Sequence, residues 1–188
     1  MATHGRDLRF LIVFAVLMGA YYVATTTDSM KNQFFPRYLQ LNADASVVVM
    51  HTFAYKDVKR SEKSLVSSRG AISVERGCDA VEPTALFVSA VLASPVPFLS
   101  KLPAVVVGSL ILAVVNLIRI ISLFLTAVHW RKAFDVMHLD VWQAVFIFLA
   151  ILLWALWASW ATKRVSTTEQ GVRTASQTVA RSNRHAPA

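Results

Sequence analysis

Apolar residues gather into four blocks along the chain, at about residues 8–25, 80–98, 102–128 and 141–161. Each is close to the roughly 20 residues that a helix needs to cross a hydrocarbon core about 30 Å thick. The pattern predicts an all-α membrane protein, a bundle of about four transmembrane helices. The first block follows Arg6 and Arg9, lacks a small-x-small cleavage site behind it, and carries Tyr21 and Tyr22, which suit an interfacial anchor. It reads as a retained signal-anchor helix. The second block ends in Ser94-Pro95-Val96-Pro97, where prolines suit a helix terminus. A tight connection bearing Lys101 is expected at 99–102. The third block is interrupted by Asn116 and Arg119 and is followed by Trp130, Arg131 and Lys132 at an interface. The fourth is rich in Trp and Leu and stops at Lys163-Arg164.

Polar stretches complete the organisation. Residues 1–162 form the membrane domain, and the Ser-, Thr-, Gln- and Arg-rich segment 163–188 is expected to be a disordered basic cytoplasmic tail. The longest polar stretch between blocks is 27–79. Within it, residues 34–50 mix apolar and polar positions as a short surface helix would. Residues 63–78, KSLVSSRGAISVERGC, suggest a small β-hairpin turning at Arg69-Gly70.

Composition sharpens this picture. The chain of 188 residues is 55% hydrophobic and 16% charged, against about 45–50% and about 25% in a soluble domain. Its net charge of +8 does not point to nucleic acid, because the basic residues flank the apolar blocks and occupy the loop and tail. Flanking basic residues are the usual orientation and lipid-headgroup signal. Neither a phosphate-cradling glycine loop nor metal-ligand spacing is present. The single cysteine, Cys78, excludes an intrachain disulfide.

Topology then joins three chemically capable residues. With four crossings, the 27–79 loop and the loop near 129–140 share one side of the bilayer. Cys78 precedes the second block and His138 precedes the fourth. Arg119 lies 17 residues past Leu102, about 26 Å up a helix rising 1.5 Å per residue. A thiol, a guanidinium and an imidazole therefore converge near one face. Arg6, Arg9, Lys101, Lys163 and Arg164 lie at the other face, which places the termini in the cytoplasm and the three residues outside.

Each candidate has a blander reading. Arg119 could snorkel to headgroups, and Asn116, one turn earlier, could be a helix-packing amide. Cys78 could be an inert packed thiol. Its place before a helix N-terminus, near a guanidinium and with Arg76 two residues away, instead favours a thiolate. Either His138 or His129 has the chemistry of the general base that a thiol nucleophile requires. Glu82 reads as orienting a base, pairing with Arg119, or simply forming an interfacial ion pair. Asp79, Asp135 and Asp140 read as solvated.

The residues at 77–83 (Gly-Cys-Asp-Ala-Val-Glu-Pro), those at 116–119 (Asn-Leu-Ile-Arg) and His138 before a final helix resemble the exosortase/archaeosortase family. The resemblance spans roughly residues 8–162 and is closest to the small exosortase H subgroup. It implies a multi-pass thiol protease or transpeptidase of a bacterial inner membrane. Its partners would be membrane-anchored proteins with a C-terminal sorting tail: a motif (here beginning Ile-Pro-Thr-Leu), a transmembrane helix and a basic cluster. Carried over, Cys78 is the nucleophile, Arg119 the conserved arginine and His138 the histidine, which also favours His138 over His129. No metal or organic cofactor is implied. The chain departs from the family pattern at Ala80, where glycine is frequent, and at Leu139, where glutamate is frequent.

Two other classes compete with an enzyme. One is a non-catalytic membrane subunit or assembly factor of a secretion or exopolysaccharide system, with Arg119 and Asn116 as packing groups. The other is a transporter, which is disfavoured because the polar groups cluster at one face and form no path through the midplane.

Overall fold

The computed structural model describes the backbone of residues 2–184, with side-chain surroundings for residue 5 and for residues 7–163. Helix α1 spans Ala2–Thr25, and a short π-helical turn at Met30–Phe34 leads into α2, Phe35–Thr52. Three strands follow: β1 Lys59–Ser61, β2 Ser64–Ser67 and β3 Gly70–Ser73. Helices α3 (Val81–Ala93), α4 (Phe98–His129) and α5 (Trp142–Arg184) complete the chain. A π-helical stretch at Val136–Val141 precedes α5.

Three helical segments are long and apolar enough to cross a membrane: Asp7–Thr25, Phe98–His129 and Arg131–Lys163. They leave many large apolar side chains exposed, Leu11, Val16, Leu110, Phe148 and Leu156 among them, as a lipid-facing surface requires. The second block departs from expectation. Its helix α3 has 13 residues, about 20 Å of rise, so it is a short apolar helix enclosed by α1, α4 and α5.

Proline sets that length. Ser94 (ψ 140°) and Pro97 (ψ 141°) are extended, and for Ser94 the cause is Pro95, since a residue before proline is driven out of the helical region. The connection between the second and third blocks therefore sits at 94–97 and not at 99–102, which already belong to α4. The freed backbone finds partners. Lys101 Nζ donates to the Leu92 carbonyl (2.7 Å), Ser94 Oγ to that of Ala90 (2.8 Å), and Trp154 Nε1 to Ser94 Oγ (3.1 Å). Pro95 and Pro97 themselves are exposed, so the turn lies at the end of the bundle, where these bonds satisfy the last carbonyls of α3.

Helix α5 runs on from the fourth block through Arg184, into the segment 163–188, and residues 185–188 lie outside the described residues.

The loop 27–79 folds into its own layer. The hairpin β2–β3 pairs Ser67 with Gly70 across the two-residue turn Ser68-Arg69, one residue before the expected turn, and β1 adds a third antiparallel strand on the β2 side. In α2, buried Leu39, Asn42, Ala43, Ser46 and Met50 recur at helical spacing and form one face. That face packs on Val58, Leu65, Val74, Cys78, Ile120 and Phe124. A separate core of Ala80, Phe87, Val91, Leu112, Phe146 and Ala150 fills the bundle. Cys78 belongs to the first core and Ala80 to the second, so the turn between them joins the two layers.

Candidate functional site

The joint at 77–80 is a sharp turn. Gly77 (φ +92°) and Ala80 (φ +54°) both lie in the left-handed region on either side of Cys78. Only glycine enters that region without a steric cost. The position where the resembling family often carries glycine is thus one where this chain forces an alanine into a left-handed conformation. The turn holds itself by the Cys78 N–H bonding to the Glu75 carbonyl (2.9 Å) and the Val81 N–H to Asp79 Oδ1 (3.2 Å).

Three of the candidates meet here. Cys78 Sγ contacts His138 Nε2 at 2.6 Å. Arg119 places Nη2 at 3.8 Å from the same sulfur and donates from Nη1 to the Gly77 carbonyl at 3.0 Å. The three side chains come from the 77–80 turn, from α4 and from the π-helical stretch before α5. A π-turn is wider than an α-turn and recurs at functional sites; here it carries His138. His129 is not in this group: its Nδ1 bonds the Leu125 carbonyl of its own helix at 3.0 Å and its ring lies against Trp130.

Arg119 does not snorkel. It is 2% exposed, its guanidinium carbon lies 5.4 Å from the centre of the Phe146 ring, and its Nε has no partner. A buried cation of this kind is costly unless neighbours compensate it. The Gly77 carbonyl, the Phe146 ring and the sulfur are the compensation on view. Asn116, fully buried one turn earlier, donates Nδ2 to Asn42 Oδ1 of α2 at 3.1 Å, which is the packing role anticipated for it. Asn42 itself was not singled out from sequence, although its place within the Leu39–Ala43–Ser46–Met50 stripe marks an inward-facing amide.

The electrostatics differ from the expectation of a favoured thiolate. Burial pushes the Cys78 thiol up, Arg119 pulls it back down, and Asp79 adds a smaller upward push. Arg76 is occupied elsewhere, over the Phe35 ring at 4.2 Å. Asp79, read from sequence as solvated, is 3% exposed; its burial pushes its carboxyl up, opposed by backbone N–H groups, that of Val81 first. Asp135 and Asp140 are exposed as expected. Glu82 accepts a hydrogen bond from the Tyr22 hydroxyl of α1 in place of the pairing with Arg119 or the ion pair anticipated for it. Among the described residues, no group of three His, Cys, Asp or Glu side chains is close enough to share a metal ion.

A buried thiol against an imidazole, with a guanidinium behind it, is an arrangement able to perform nucleophilic acyl chemistry. Comparison with curated proteins and with solved structures returns no match. The transmembrane exosortase family (Exosortase_EpsH) matches residues 1–157, a stretch that contains Cys78, Arg119 and His138, and the chain belongs to that family.

Proposed function

We propose that the protein is a membrane-embedded thiol peptidase or transpeptidase that removes C-terminal sorting tails of exported proteins near the outer membrane–water interface. The observation that carries this reading is the contact of Cys78 Sγ with His138 Nε2, with the Arg119 guanidinium beside the sulfur. In the first step His138 takes the thiol proton as sulfur bonds to the scissile carbonyl carbon, whose oxygen becomes an oxyanion. Arg119, itself 2% exposed, stabilises that negative charge from the buried side of the site. Collapse breaks the C–N bond, and His138 returns the proton to the departing amine, leaving a thioester. An incoming amine or water attacks the thioester, gives its proton to His138 and restores the thiol. Membership of one bilayer orients enzyme and substrate before they meet.

The orientation belongs to the same proposal. Arg9 and Lys101 line one cleft with Ser94, at the end of the bundle away from Cys78. Helix α3 carries the chain from Cys78 to that end, so the chain still passes four times between the ends, and a basic rim there supports cytoplasmic termini and an active site outside.

A scaffold or assembly role has one observation in its favour: Arg119 and Asn116 both make bonds that serve packing, to Gly77 and to Asn42. The deciding experiment co-expresses an exported reporter bearing an Ile-Pro-Thr-Leu tail with wild type, Cys78→Ala, Arg119→Ala, His138→Ala and His129→Ala, each checked for membrane insertion. Tail removal is expected to disappear with Cys78→Ala and Arg119→Ala, to fall about 10²–10⁴-fold with His138→Ala, and to persist with His129→Ala. A substrate that wild type processes and Cys78→Ala processes equally well would sink the thiol mechanism and favour the scaffold.

A further inference from the structure

A cleft of about 540 Å³ opens beside the candidate site, lined by Arg69, Gly70, Ala71, Ile72 and Ser73 on one side and by Ala127, Arg131, Phe134, Asp135 and His138 on the other. Its volume falls within the roughly 300–1,000 Å³ typical of ligand pockets. One wall is unusual. Successive side chains of a strand point to opposite faces, so a face would contribute alternate residues. Here all four residues of β3, Gly70–Ser73, line the cleft together with Arg69 of the turn, so the strand presents its edge.

That edge is unpaired. The sheet order is β1-β2-β3, so β3 has a neighbouring strand on one side alone, and it also packs on α4, where Val128 lies close to Gly70. The register pairs Ser67 with Gly70, Leu65 with Ile72 and Ser64 with Ser73, and the Val74 N–H reaches the Lys63 carbonyl at 3.0 Å. Hydrogen-bonded and non-bonded pairs alternate in an antiparallel ladder. The Lys63–Val74 bond therefore puts Gly70 and Ile72 in the bonded pairs with β2. Ala71 and Ser73 turn their N–H and C=O groups outward, to the side where the sheet has no further strand. Both residues are exposed. The strand edge and His138, the partner of the Cys78 thiol, thus face one cleft.

We infer that the free edge of β3 is the docking site for the substrate, an extended peptide segment of the exported protein that adds as a fourth strand and is thereby presented to Cys78. This rests on the peptidase reading above and specifies how that site holds its substrate. Strand addition takes its affinity from main-chain hydrogen bonds and accepts varied side chains. Ala71 and Ser73 supply two donors and two acceptors two residues apart, the repeat that an added strand offers. The rim adds a charge preference: Arg69 and Arg131 outnumber Asp135, which favours a segment carrying acidic and not basic residues.

The test uses the full-length protein in membranes and a tailed reporter that wild type processes. Cys78→Ala removes the chain's one cysteine, so Ala71→Cys, Ser73→Cys and, as a control on the far strand, Lys59→Cys can each be placed in that background. Each is co-expressed with reporters carrying one cysteine at successive positions before the tail helix, then oxidised. Strand addition predicts disulfides to the Ala71→Cys and Ser73→Cys variants at reporter positions displaced from each other by two residues, with none to the Lys59→Cys control. Absence of both, or crosslinking without that displacement, overturns the docking site while leaving the peptidase reading standing. Conversely, the two-residue pattern together with tail removal by Cys78→Ala would keep the docking site and defeat the thiol mechanism.

Discussion

At the residue scale, Cys78 is held between two opposing effects. Burial raises its pKa and the Arg119 guanidinium lowers it. The thiol therefore ionises above its ordinary value, and removing the guanidinium should move it higher still. The expected outcome is that iodoacetamide labelling of Cys78 climbs with pH in the alkaline range, and that Arg119→Gln shifts this limb to higher pH. An unchanged limb would remove Arg119 from any electrostatic role at the sulfur. The flanking turn yields a second prediction. Gly77→Ala introduces a side chain at φ +92° and should cost about 1–2 kcal/mol, seen as a lower unfolding temperature in detergent. Ala80→Gly relieves a comparable strain but gives up a buried methyl, worth about 0.8 kcal/mol, so its stability should stay near that of wild type. A large loss in Ala80→Gly would show that the methyl, and not the left-handed turn, dominates at this position.

At the element scale, the close approach of α3 and α4 decides whether the turn is held in place. A Cβ built on Gly108 would lie 2.2 Å from the Phe87 ring, and Phe87 is 1% exposed. The ring has no free direction in which to retreat. Small residues at helix contacts are the usual device by which membrane helices come together. Gly108→Ala is expected to destabilise by about 1–3 kcal/mol through overpacking, and adding Phe87→Leu should recover part of that loss. Additive losses in the double variant would refute direct contact. Because α3 begins at Val81, three residues past the thiol, a shift of α3 away from α4 also carries Cys78 away from Arg119. Gly108→Ala should therefore reduce tail removal as well as stability.

At the scale of the whole molecule, the site lies where two cores meet. The layer made by α2 and the sheet shares Ile120 and Phe124 of α4, and the bundle core uses Leu112 of the same helix. Helix α4 is the member common to both, at 32 residues or about 48 Å, longer than a hydrocarbon core about 30 Å thick. It thus has length enough to cross the membrane and still support the layer beyond it. The proposed orientation follows from the charge at the opposite end. A cysteine at the exposed β1–β2 turn (Glu62→Cys in the Cys78→Ala chain) should react with an impermeant maleimide added outside intact cells, and a green fluorescent fusion after Ala188 should glow. The reverse labelling pattern would invert the topology.

Periodicity and block length are local properties, so the long membrane helices and the hairpin near Arg69 were legible in the chain, and Cys78, Arg119 and His138 became candidates once the blocks were threaded across a bilayer. Resemblance to a family was legible for the same reason: short motifs are contiguous. Contacts between distant segments decided the rest. The residues by themselves left His138 and His129 open and only the resemblance favoured His138; its contact with the sulfur needed the π-turn before α5 laid against the 77–80 turn, sixty residues earlier. The burial of Asp79 needed the two layers to close over one joint. The end of α3 at Ala93 was written locally in Ser94-Pro95, whereas the bonds that satisfy its last carbonyls, from Lys101 to Leu92 among them, needed the next helix to fold back. Hydrophobic pattern places each residue relative to its own helix axis, whereas desolvation and pairing are set by whatever packs against it.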